Sequence, residues 1–110
     1  MNNNMEFGVI GLGRMGGSLA LQAVEKGIDV AGYDKGEVKG EYKRSDIKIK
    51  DSIKEMKEEL TPPRKIFIYV PAGPVVDKVI SELSGVLDNG DIIIDGGNSY
   101  WGILSAERGR

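Results

Sequence analysis

Short, continuous apolar runs alternate along this chain with stretches whose apolar residues recur every three or four positions. Residues 7–12 (FGVIGL), 29–33 (DVAGY), 66–70 (IFIYV) and 92–95 (IIID) are of the first kind and predict buried strands. Residues 14–26 are of the second kind, with Met15, Leu19, Ala20, Ala23 and Val24 at helical spacing and Gly27 as a C-terminal stop. A longer amphipathic helix opens at Pro74, a residue suited to a first helical turn, and carries Val75, Val76, Val79, Ile80, Leu83, Val86 and Leu87. Between them, Ser52 and Glu55 have capping-box spacing for a short helix with Ile53, Met56 and Leu60 on one face, and "TPP" at 61–63 ends it. The polar, lysine-rich segment 35–48 predicts no element, although "IKI" at 47–49 fits a short edge strand. After a turn at 88–91 and the strand 92–95, residues 100–108 read as the start of another helix, inside which the chain stops.

Strands alternating with helices imply parallel pairing through right-handed crossovers, with the strands covered on both faces. The expected fold is α/β: one doubly wound, mostly parallel sheet in a single domain, 1–110, with residues 1–4 fraying at its start.

Composition narrows the chemistry. A chain of 110 residues with 40% hydrophobic and 29% charged residues suits one globular domain. The net charge of −2 is scattered, and the lysines of 35–57 are interleaved with Asp34, Glu37, Glu41, Asp46, Asp51 and Glu55. That is a solvated face, and no nucleic-acid partner is expected. The absence of cysteine and histidine removes disulfides, thiolate chemistry, imidazole acid–base work and the usual zinc ligands, so no metal site is expected. No apolar run is long enough for a bilayer, and the start lacks the basic segment and cleavage site of a signal peptide. A cytoplasmic protein with no membrane partner is the expectation.

The candidate chemistry lies in Gly11-x-Gly13-x-x-Gly16. The first glycine permits a tight strand-to-helix turn, the second lets backbone approach a pyrophosphate, and the third lets the helix pack close to the sheet. Amides of the first helical turn then face the anion. The motif alone is weak, but here it follows a strand, opens a helix and precedes a second strand that ends at Asp34, about 20 residues on. This is the signature of a Rossmann-type dinucleotide-binding fold, and Gly11, Leu12, Gly13, Arg14, Met15 and Gly16 make up the coenzyme turn. A carboxylate at Asp34 suits the adenosine ribose hydroxyls and repels a 2′-phosphate, which favours NAD over NADP. Lys35 is either a holder of that phosphate or an ordinary surface lysine. Two further loops, "VPAGP" (70–74) and "DGGNS" (95–99), leave carboxyl ends of strands, where ligands bind in open α/β sheets. Ala72, Gly73, Gly96 and Gly97 keep them thin, and Asn98 offers a donor and an acceptor. For 70–74 a turn chosen for geometry alone is an equal reading; for 95–99 the site is favoured.

"GLGRMGGSLA" and "YVPAGPVVDKVISELSGVLDNGDIIIDGGNSYW", with their spacing, resemble the N-terminal coenzyme domain of 6-phosphogluconate dehydrogenase, in its shorter bacterial and archaeal form. The resemblance implies oxidation of 6-phosphogluconate by hydride transfer to NAD(P), then decarboxylation to ribulose 5-phosphate. It implies that Arg14 and Met15 lie against the coenzyme, that Val70, Pro71 and Ala72 line the cleft, and that Asn98 touches the nicotinamide ribose or the substrate. The segment between Asp34 and Ser52 is shorter than in the family, so the helix expected there is lost or reduced. The family's catalytic lysine and glutamate, and the helical domain that completes the pocket and the dimer, fall beyond Arg110. The expectation is a truncated coenzyme domain without catalytic residues of its own. It would bind dinucleotide without turnover, meet 6-phosphogluconate only with the missing domain, and self-associate weakly through a patch near Trp101, Ile103 and Leu104. A hydroxyisobutyrate-type dehydrogenase domain, sharing "GLGxMG", and a stand-alone NAD-sensing module are the alternatives.

Overall fold

A computed structural model describes residues 5–70, 74–95 and 100–103. Six strands form one sheet in the order β3-β2-β1-β4-β5-β6: β1 Glu6–Ile10, β2 Asp29–Tyr33, β3 Lys48–Ile49, β4 Lys65–Ile68, β5 Ile92–Asp95 and β6 Tyr100–Ile103. The first five are parallel, and β6 runs antiparallel to β5. The helices are α1 Arg14–Glu25, α2 Gly40–Lys43, α3 Ile53–Glu59 and α4 Pro74–Val86. From β1 the chain builds outward through β2 and β3, then returns across β1 to β4. The order therefore reverses between β1 and β4, and a crevice opens there at the carboxyl ends of the strands.

Strand alternation divides the core into two layers. Ile10, Ala31, Ile66, Ile68 and Ile93 face α3 and α4, where Met56 and Leu83 are wholly enclosed. Phe7, Val9 and Val30 face α1, against Ala20 and Ala23. Burying one such aliphatic side chain stabilises the fold by about 1.5–3 kcal/mol, so these two layers supply most of the driving force. Gly8 keeps β1 flat beneath the first layer, since a Cβ there would press on Ile66, Leu60 and Met56 at 3.0–3.2 Å.

The helix ends follow sequence signals. Gly27, at φ 86°, turns the chain out of α1; its amide reaches the Val24 carbonyl at 3.1 Å, and the Ile28 amide reaches that of Ala23 at 3.0 Å. Ser52 caps α3 by accepting the Glu55 amide at 3.1 Å, while the Glu55 carboxylate accepts the Asp51 amide at 3.1 Å, one residue before the usual capping-box partner. The segment 35–48 does hold an element, the single turn α2, whose Tyr42 is buried against α1. The helix implied by resemblance is thus reduced to one turn.

One expectation is overturned. Residues 100–103 form a strand, pairing Ile94 with Trp101 and Ile92 with Ile103, and not the start of a helix. Tyr, Trp and Ile are strong strand formers, and a connection of four residues after β5 is long enough for an antiparallel return but not for a crossover. Among the described residues, no helix is long and apolar enough to cross a membrane.

Candidate functional site: the glycine turn and its cleft

The turn between β1 and α1 is built by three glycines with different constraints. Gly11 has φ 98°, a Cβ there would overlap the Tyr69 carbonyl, and its amide donates to the Tyr33 carbonyl at 2.8 Å. Gly16 is buried where a Cβ would overlap the Gly11 carbonyl oxygen. The fold therefore requires both. Gly13 is exposed, has φ −81°, and a Cβ on it would meet nothing within 4 Å. Neither backbone nor packing within the described chain asks for glycine there. Gly85, exposed in α4, is equally free, so freedom alone does not mark a site. Gly13 differs in lining the crevice at the head of a helix.

That head is left open. The N-cap of α1 makes no side-chain hydrogen bond, and no acidic residue stands in its first turn. The much shorter α3 has both a capping serine and Glu55. The longer helix thus keeps its first amides and the positive end of its dipole available for an external anion.

Asp34 follows β2 directly. Its Oδ2 accepts the Leu12 amide at 2.7 Å and its Oδ1 accepts the Gly36 amide at 2.7 Å. A carboxylate has about four lone-pair positions, so acceptor capacity remains after both bonds. Leu12, 2% exposed, sits under the turn and touches β2, since a Cβ at Gly32 would meet its Cδ1 at 3.1 Å.

A cleft of about 600 Å³ opens over this edge, in the size range of small-molecule sites. Gly11, Gly13, Asp34 and Lys35 form one wall; Tyr69 and Val70 form the floor beyond β4; Val75, Lys78 and Val79 of α4 form the other wall. A second hollow of about 440 Å³ lies beyond Asp34 and carries Lys35, Lys43 and Lys50 together with Glu37 and Asp51. The structure thus brings Gly11, Gly13, Asp34, Lys35 and Val70 to one cleft. Leu12 and Gly16 support the turn from within. Arg14 and Met15 are exposed at the start of α1, Met15 at 63%, and do not line the cleft. Pro71, Ala72, Gly73, Gly96, Gly97 and Asn98 lie outside the described residues.

Sequence reasoning missed Tyr42 and two valines of α4. Tyr42 fills the space in front of Gly17, where a Cβ would overlap its ring, and its hydroxyl lies 3.5 Å from the Gly13 carbonyl. The doubled glycine at 16–17 was the signal. Val75 and Val79 belong to the apolar stripe of α4, yet they line the cleft, while Val76 and Leu83 enter the core. Six aliphatic positions in one helix are more than one core face needs.

Residues 6–105 match the family model of the NAD binding domain of 6-phosphogluconate dehydrogenase. The chain belongs to that family. This coenzyme domain is 43% identical to the decarboxylating 6-phosphogluconate dehydrogenase of Synechocystis sp., in an alignment covering 86% of this chain and 21% of that protein. It is 39% identical to decarboxylating 6-phosphogluconate dehydrogenase 1 of Saccharomyces cerevisiae, covering 87% and 21%. Among solved structures it resembles Plasmodium falciparum 6-phosphogluconate dehydrogenase, described in its apo form and in complex with NADP+ and with 6-phosphogluconate. That match has a TM-score of 0.71 and 31% identity, and covers 83% of this chain and 21% of the other. The domain therefore spans about a fifth of the length of these relatives.

Proposed function

We propose that the cleft seats the adenosine and pyrophosphate portion of NAD(P), with the pyrophosphate over Gly13 and the uncapped head of α1. The observation that carries this reading is Gly13 itself: an exposed glycine on the turn, unconstrained by φ or by any described neighbour within 4 Å. A ligand approaching the backbone supplies the missing reason. The open first turn of α1 supports it independently.

NAD is the favoured coenzyme. Asp34 stands at the end of β2 with acceptor capacity to spare, which suits two ribose hydroxyls and opposes a phosphate dianion. Lys35 and the hollow with Lys43 and Lys50 leave NADP as a second substrate for the same seat. Val75 and Val79 offer an apolar wall for a flat base. When bound, the coenzyme's nicotinamide accepts hydride; the residues here hold and orient the other end. In the whole protein, we infer, this supports oxidative decarboxylation of 6-phosphogluconate, the substrate named for the related Plasmodium enzyme.

The test is calorimetric titration of the chain with NADH and NADPH, followed also by fluorescence of its single tryptophan, Trp101. Saturable binding with NADH tighter is expected. Tighter NADPH would reverse the coenzyme preference, and no binding of either at millimolar concentration would sink the seat.

A further inference from the structure

We propose that Asp34 is a positioning residue for the glycine turn, acting on the pyrophosphate end of the cleft as well as on the ribose. The inference rests on the reading of this edge as a coenzyme seat. Its basis is the bond from the Leu12 amide to Asp34 Oδ2, 2.7 Å long and joining residues 22 apart in sequence. Leu12 stands between the two glycines that shape the turn, and its side chain is buried, so its amide has little access to water. Without a carboxylate at 34 that donor would lose its partner, and the turn would have to shift to regain one. The second oxygen binds the Gly36 amide at 2.7 Å, which fixes the carboxylate's own orientation. On the other flank the Gly11 amide is tied to the Tyr33 carbonyl at 2.8 Å. The end of β2 therefore holds the turn twice, once through backbone and once through Asp34.

This assignment reverses the sign of an electrostatic expectation. If Asp34 only read ribose hydroxyls, removing it would relieve repulsion of an anion lacking those hydroxyls, and such an anion would bind as well or better. If Asp34 holds the turn, the same anion binds worse. The probe is 2′,3′-dideoxyadenosine 5′-diphosphate, which keeps the base and diphosphate and lacks both ribose hydroxyls.

In Asp34→Ala we expect the Leu12 amide to exchange with solvent at least tenfold faster, while Val9 and Ile10 in β1 keep their protection. We expect affinity for the dideoxy diphosphate to fall at least threefold despite the lost negative charge. Unchanged Leu12 exchange, or equal or tighter binding of the probe, overturns the proposal. Asp34→Leu, similar in size and without an acceptor, carries the same expectations if the alanine variant does not fold. The unmodified chain offers a measurement that needs no variant: a through-hydrogen-bond coupling between the Leu12 nitrogen and the Asp34 carboxyl carbon. Its absence together with an unprotected Leu12 amide also overturns the proposal. These amide measurements are made on the free chain, so a failure of coenzyme binding is read separately, in the NADH titration.

Discussion

Two aspartates, at opposite ends of the sheet, do related work with different amounts left over. Asp34, at the carboxyl end of β2, accepts two backbone amides and remains partly exposed to the cleft. Asp91, just before β5, accepts the amides of Arg64 and Asp88 at 2.7 and 2.8 Å and an Arg64 Nη1 at 3.1 Å, and is 0% exposed. Arg64 in turn donates Nε to the Lys57 and Leu60 carbonyls at the end of α3, at 3.0 and 3.3 Å. At that end every described buried side-chain donor and acceptor finds a partner inside the chain. The cleft end instead keeps an open helix head and a carboxylate with capacity to spare. A carboxylate enclosed among three internal donors fixes the fold; one that holds two and stays partly exposed is available to a ligand.

The sharpest way to break this comparison is Asp91→Ala. It strips the buried Arg64 of its enclosed partner, and loss of one member of a buried pair typically costs about 3–5 kcal/mol. Urea denaturation should register that loss, while the folded fraction keeps its NADH affinity. Gly16→Ala comes next. Its methyl would force α1 away from the Gly11 carbonyl, and such overpacking costs about 1–3 kcal/mol, so stability and coenzyme affinity should fall together. Gly13→Ala should separate the two. Stability should stay within about 0.5 kcal/mol of wild type, as for surface changes in general. NADH affinity should drop at least tenfold, about 1.4 kcal/mol by calorimetry. An unchanged affinity would mean that nothing approaches this backbone.

The smallest effect concerns a third carboxylate. Glu59 pairs with Lys50 at 2.9 Å and with Lys48 at 3.2 Å in a partly solvated position. Hydrogen bonds from Lys50 and then Lys48 hold its carboxyl below the ordinary value, and the bond to Glu59 raises Lys48 above its own. The Glu59 contribution is present above the ordinary carboxylate value and fades as pH falls through the lowered one. The Lys48 contribution is present below the ordinary lysine value and fades as pH rises through the raised one. Glu59→Gln should therefore cost under about 1 kcal/mol near neutral pH. The difference from wild type should vanish at both pH extremes and shrink in high salt, as thermal melts would report.

Much of the scaffold was legible because its strands are continuous and branched. Residues 29–33 and 92–95 fall as strands on those same bounds, since each is flanked by turn formers. The strand β6 was misread because an aromatic run fits either element, and the deciding fact is the short return from β5. Tyr42 was invisible within its lysine-rich stretch, since the doubled glycine at 16–17 marks a notch in α1 but not the distant residue that fills it. The Arg64–Asp91 pair joins residues 27 apart and looks, along the chain, like two ordinary surface charges. At the site, the motif pointed to Gly13 along the chain, whereas the open space in front of it is visible only in the fold.

The edge strand β3 has a last consequence. A long bare edge invites another chain to extend the sheet, and such growth is a route to aggregation. Here the edge is two residues long, Lys48 and Lys50 are engaged by Glu59, and strand addition finds almost no template. The short length of β3 and the charged side chains along it thus help keep this border of the sheet from recruiting a neighbour.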